Sequence, residues 1–172
     1  MAKVTEHFDD SEFRCKCGCN GCIINVPFVG RLEQLRTALN AKSIVISSGY
    51  RCPTHSVRVG GSSNDAHVLG FAADVIAYKQ DGTPYSSVTV AKEAEKIGFG
   101  GIGLIDNNYV HVDSRDCNKY ANSHWFGDER TGNNNIPTFL TMDSEPVQGA
   151  PEPMKHTLTV SIDGKTVYET KI

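Results

Sequence analysis

The sequence predicts an α+β fold: a compact single domain with a largely antiparallel sheet and flanking helices, plus a C-terminal β-hairpin. Three observations predict it. Short runs of β-branched residues alternate with stretches whose apolar residues recur at helical spacing, in the order helix, strand, strand, helix, strand, strand. The later strands are joined by turns short enough for hairpins, which link antiparallel neighbours. A last alternating segment, Thr157 to Tyr168, stands apart behind a proline-rich run from Pro146 to Pro153.

Phe8 to Arg14 reads as a short helical turn opened by an acidic cap, and the cysteine-rich segment after it as a loop. Pro27 opens a helix, because its fixed φ and missing N–H suit a first helical turn. Phe28, Leu32, Leu35 and Leu39 give that helix one face for the core. Ser43 to Ser47 is a short buried strand. Ser48 to Pro53 reads as a turn, and Gly60 to Asn64 as a loop. Phe71 to Ala77 is the next strand, followed by a polar turn around Asp81-Gly82. Ser86 or Ser87 caps a helix through Val90, Ala91, Ala94 and Ile97, which Gly98 ends. Gly101 to Ile105 and Tyr109 to Asp113 make a hairpin around Asp106-Asn107-Asn108.

From Gly127 the composition turns loop-like. The division is therefore residues 1–126 for the main domain, 127–155 for loop and linker, and 156–172 for the hairpin with its Asp163-Gly164 turn. A lone hairpin is marginal in water. This one packs on the main domain, mediates self-association, or docks on a partner.

Composition excludes several classes. The 172 residues, 39% hydrophobic and 22% charged, suit one domain with a small appendage. A net charge of −3, with Lys and Arg scattered, offers no field or basic stripe for nucleic acid. No apolar run approaches a membrane span. The segment Met1 to His7 lacks the apolar core of a signal peptide, so the expectation is a chain made in the cytoplasm that reaches any other place without a cleaved signal.

Six cysteines are unevenly placed. Cys15, Cys17, Cys19 and Cys22 crowd one glycine-containing segment, where four thiols suit a structural metal. Their C-x-C-x-C-x-x-C spacing differs from two separated C-x-x-C knuckles, which leaves disulfides and free thiols as rivals, including a pairing of Cys52 with Cys117.

The strongest chemical signal is His67, Asp74 and His111. Two imidazoles and one carboxylate suit a single catalytic Zn2+, because three protein ligands leave a fourth tetrahedral position for water. Gly70 lets the chain turn so that His67 and Asp74 converge, and strand alternation turns Tyr109, His111 and Asp113 to one face. Asp113 is then placed to move a proton, with Asp65 and Asp106 behind it, or else it orients His111. Arg51 is positioned to grip a substrate carboxylate or oxyanion, or to serve as a structural ion-pair partner. His124-Trp125 is a candidate cleft wall; His7, His55 and His156 read as structural or surface residues.

The run Ser47-Ser48-Gly49-Tyr50-Arg51-Cys52-Pro53, then Val59-Gly60-Gly61, His67-x-x-Gly70-x-Ala72-x-Asp74 and Val110-His111-Val112-Asp113, resembles the M15 family of zinc D-Ala-D-Ala carboxypeptidases and related phage endolysins. The His7-Phe8 to Cys22 segment and the Leu32 to Leu39 helix are also similar, so the resemblance covers roughly two thirds of the chain in family order. It implies a domain of the Hedgehog/D-Ala-D-Ala peptidase type over 1–126, zinc held by His67, Asp74 and His111, and substrate binding or polarisation by Arg51; Asp65 and Tyr109 are further candidate substrate contacts of this chain. The implied substrate is a peptidoglycan stem peptide or cross-bridge, cleaved at a bond involving a D-amino acid, in lysis or wall remodelling and, in a phage setting, after release or carriage in the particle. Two positions depart from the family pattern: Asp65 stands where a Ser is frequent, and Asn108 where many relatives have an acidic residue three positions before the last histidine. The alternative is a non-catalytic peptidoglycan-binding or phage tail module that keeps the peptidase fold. A metal-dependent regulator built on the cysteine cluster is a third.

Overall fold

The structure, a computed structural model, describes residues 2–115, 124–143, 157–162 and 165–171. One sheet holds β1 (Ser43–Ser48), β2 (Ala72–Tyr78), β3 (Gly101–Leu104), β4 (Val110–Asp113) and β5 (Trp125–Asp128) in the order β1-β2-β4-β3-β5. Its neighbours run antiparallel except β3 and β5, which run parallel. The α+β class with a mostly antiparallel sheet therefore holds.

Alternation divides the sheet into two faces. Ala73, Val75 and Ala77 of β2 and Val110 and Val112 of β4 join the core with Ile44 and Ile46 of β1. The helices α1 (Val26–Ala38) and α3 (Ser87–Ile97) supply the rest of that layer. Phe28 of α1 meets Phe99 just beyond α3 edge to face, with ring centroids 6.1 Å apart. Asn25 caps α1 by accepting the Phe28 N–H at 2.9 Å, and Pro27 stands in the first turn. Ser86 caps α3, and Gly98 stops it in the left-handed region at φ 94°. The intervening residues Asp74, His111 and Asp113 fall on the opposite face from the helices.

The turn expected near residue 8 is a 3-10 turn over Asp10–Phe13, opened by Asp9 in a capping box with Glu12. Three features correct the sequence reading. The stretch read as a turn ending at Pro53 leads straight into a short helix, α2 (Pro53–Arg58), with proline in its first turn. Its six residues offer too few turns for a periodic signal. Second, β5 straddles the 126/127 division, and the core continues beyond it: Phe139 is fully buried, with Ile136 and Met142 packed against the cluster. Polar loop composition hid three apolar anchors spaced too irregularly to show a period. Third, Cys52 does not stand alone; it lies among the N-terminal cysteines, while Cys117 lies outside the described residues.

The strands of the expected C-terminal hairpin are present as β6 (Thr157–Ile162) and β7 (Lys165–Lys171), an antiparallel two-stranded sheet separate from the five-stranded one. The expected Asp163-Gly164 turn and the proline-rich linker lie outside the described residues. No helix among the described residues is long and apolar enough to cross a membrane.

Candidate metal centre and cleft

Strand register builds the first half of the site. In the antiparallel β2–β4 pair, Asp74 is directly opposite His111, and Ala72 is opposite Asp113. Cross-strand partners share a face with their Cβ atoms about 5 Å apart, so a carboxylate and an imidazole there meet without further design. His67 arrives from the turn before β2. Leu69 N donates to Asp65 O at 3.1 Å and Phe71 N to Ala66 O at 3.1 Å, folding the loop back on itself. Gly70 closes it at φ 79°, where an added Cβ would sit 2.7 Å from the Ile23 carbonyl oxygen, so both conformation and space demand glycine.

The three ligand atoms converge. His67 Nε2 lies 3.2 Å from His111 Nδ1 and 3.3 Å from Asp74 Oδ1, and His111 Nδ1 lies 3.0 Å from Asp74 Oδ1. A tetrahedral zinc ion with bonds of about 2.0–2.1 Å spaces its ligand atoms about 3.3 Å apart, so the observed triangle fits one ion. The tautomers fit as well. His67 Nδ1 faces the Gly49 carbonyl oxygen at 2.7 Å, and a carbonyl only accepts, so the proton sits on Nδ1 and Nε2 is left as a ligand. His111 Nε2 faces the Asp113 carboxylate at 3.2 Å, which turns Nδ1 toward the centre.

Charges reinforce the arrangement. Burial opposes a charge on His111, yet hydrogen bonds to Asp113 and Asp74 outweigh it and push the imidazole up to about 9. Burial likewise works against ionisation of Asp74, but its histidine partners hold it far below the usual carboxylate range. Asp113 is held low in the same way, by His111 and Arg115 against its burial.

The remaining predicted residues fall into place unequally. Arg51 Nη2 donates to Asp74 Oδ2 and its Nε to Ser48 Oγ at 2.9 Å, so the guanidinium clamps the carboxylate oxygen turned away from the histidines. Asp65 lines the cleft, but its oxygens accept from Ser56 Oγ, Ser62 N and Val68 N, which makes it the clasp of the His67 loop. Asp113 shares the His111 face as alternation requires. Its side chain, however, is completely buried and gripped by Arg115, with Nη2 at 2.6 Å and Nε at 2.9 Å. Gly101, opposite it on β3, has no side chain to fill that space. Tyr109 does not line the cleft, and Asp106 caps the Asn107–Tyr109 turn through the Asn108 and Tyr109 N–H groups.

The cleft over this centre has a volume of about 590 Å³, in the range of small-ligand sites. Trp125 forms a wall, edge-on to His111 at 5.9 Å and under the Arg115 guanidinium at 5.5 Å. Its partner in the expected wall, His124, lines a neighbouring pocket of about 450 Å³ instead. Sequence reasoning missed Arg115, Ile105 and Glu129, all of which line the cleft. Glu129 directly follows β5, so only knowledge of that strand could have placed it.

The Peptidase M15 family matches residues 6–113, which include His67, Asp74 and His111. Over 50 residues the chain is 40% identical to the zinc D-Ala-D-Ala carboxypeptidase of Streptomyces albus G. That stretch is 29% of this chain and spans only 20% of the relative's length.

Proposed function

The chain belongs to the peptidase M15 family, and from that membership we propose that it is a zinc-dependent peptidase hydrolysing peptidoglycan stem-peptide or cross-link amide bonds that involve D-amino acids. The observation that carries the reading is the triangle of His67 Nε2, Asp74 Oδ1 and His111 Nδ1, with edges of 3.0–3.3 Å and the outer histidine nitrogens already satisfied. The relative named for zinc and for D-Ala-D-Ala carboxypeptidase activity supports both the metal and the substrate class. Action at the cell wall, in lysis or remodelling or as part of a phage particle, belongs to the same proposal.

When bound, zinc supplies Lewis acidity toward the scissile carbonyl and makes water nucleophilic near neutral pH. The protein's own groups do the rest. Arg51, with Nη2 on Asp74 and Nε on Ser48, has Nη1 left to donate to a substrate oxygen. Trp125 and Arg115 wall the cleft. Proton transfer falls to Glu129, because the oxygens of Asp65 and Asp113 are taken and Glu129 is an exposed carboxylate on the cleft. Glu129 accepts the water proton and returns it to the leaving amine. Asp113 positions His111.

The test is digestion of a defined muropeptide with mass spectrometry of the products, which reports activity and bond together. Wild-type protein is expected to release D-alanine or split a cross-link, and His67→Ala to lose cleavage together with the centre's metal while remaining folded. Unchanged cleavage by that variant sinks the proposal. Stem-peptide binding without turnover at full zinc occupancy establishes the non-catalytic alternative in its place.

A further inference from the structure

The peptidase reading leaves a second cluster unused. The Sγ atoms of Cys15, Cys17, Cys19 and Cys52 all lie within 4.8 Å of one another. Cys15 and Cys17 sulfurs are 3.3 Å apart, and those of Cys17 and Cys52 are 3.7 Å apart. Zinc–sulfur bonds of about 2.3 Å put tetrahedral sulfurs about 3.8 Å from each other. A disulfide would draw a pair to about 2.0 Å, and these four cysteines are unbridged.

The surroundings suit anionic sulfur. The Cys52 N–H donates to Cys15 Sγ at 3.3 Å, the Gly21 N–H donates to Cys19 Sγ at 3.4 Å, and His55 Nδ1 lies 3.2 Å from Cys15 Sγ. Such outer donors recur around thiolate ligands, where they hold the sulfur in place. Cys22 stands outside the group, its thiol directed to the Asp10 carbonyl oxygen at 3.7 Å.

We propose that Cys15, Cys17, Cys19 and Cys52 hold a structural zinc ion, distinct from the His67–Asp74–His111 centre. Four thiolates close the coordination sphere, so no position is open to water and the ion does no hydrolysis. Its work is to staple the N-terminal segment to the connection between β1 and α2. That junction already brings Tyr50 N to Phe13 O at 2.8 Å. It also packs Gly49 so closely on Phe13 that an added Cβ would lie 2.6 Å from Phe13 Cα. Gly49 offers the carbonyl that fixes the His67 tautomer, and Cys52 directly follows Arg51. The thiolate ion therefore holds the two residues that set the orientation of His67 and Asp74.

The experiment loads the full chain with cobalt(II). The expected result is two ions per chain by elemental analysis, and a near-ultraviolet thiolate-to-cobalt charge-transfer band. The band persists in a His67→Ala, His111→Ala double variant that retains one ion, which separates this proposal from the peptidase reading. Cys52→Ser and Cys19→Ser each weaken the band and the retention of its ion; Cys22→Ser and His55→Ala leave both at the wild-type level. In case the cysteine variants fail to fold, the wild-type zinc protein is titrated with an organomercurial, and one zinc ion is expected to leave as the four thiols react. Cross-linked thiols in the native protein, no zinc released by the mercurial, or loss of the band in His55→Ala with its undiminished retention in Cys19→Ser overturns the assignment.

Discussion

His111 meets three carboxylate or imidazole partners with one ring: Asp74 and His67 at Nδ1, Asp113 at Nε2. In the metal-free protein Asp113 and Asp74, against its burial, push the imidazole up to about 9 from 6.5, while Asp74 and Asp113 themselves sit below their unfolded value of 3.8. A raised histidine stabilises the fold fully below 6.5, and that contribution is lost as pH rises through about 9. The depressed carboxylates contribute above 3.8 and lose their contribution as pH falls below it. Urea unfolding of chelator-treated protein should therefore show its highest midpoint between about pH 4 and 6.5 and a decline toward 9; a midpoint climbing from pH 7 to 9 contradicts the assignment. Glu129→Gln tests the proton carrier separately. A loss of about 10²–10⁴ in kcat with metal content unchanged is expected, and wild-type turnover rules the residue out. The convergence of His67, Asp74 and His111 was legible in the sequence because a glycine turn and strand parity bring them together. The fate of Asp113 was not, since parity assigns a face but cannot show that Gly101 opens a buried slot and Arg115 closes it.

Elements position these residues through register. Gly101 pairs with Asp113 and Gly103 with His111, so β3 presents its two glycines to the two polar side chains on the cleft face of β4. An alanine at 101 would drive its Cβ into the Asp113 carboxylate. Gly101→Ala is expected to cost about 1–3 kcal/mol and to weaken metal binding as well, read from urea midpoints and zinc competition. A variant with unchanged zinc affinity would show that the slot does not govern His111. Helix α3, hairpin strands β3 and β4 and the α1 start were legible because caps, turns and periodicity are local signals. Helix α2 and strand β5 were not: one is a helix of six residues and the other pairs parallel with β3, a non-local contact no short window records. The thiol cluster illustrates the same limit, since Cys52 replaces Cys22 across a long sequence separation.

At the scale of the whole molecule, residues 127–142 pack on the same core as the five-stranded sheet. Phe139 is fully buried against Phe126, with ring centroids 5.5 Å apart, and Glu95 of α3 accepts from the Phe139 N–H at 2.7 Å. Phe139→Ala is expected to destabilise by about 3–5 kcal/mol, measured by denaturant midpoints; a change near zero would show the segment to be dispensable. The pairing of Asp74 with His111 has a consequence for folding itself. Sliding β4 by one residue against β2 would bring Val110 or Val112 opposite Asp74 and send the imidazole to the helix side. An ion that binds only the native pairing therefore acts as a proofreader of strand alignment. Its free concentration adds to the stability of the correct topology by mass action while giving nothing to the slipped one.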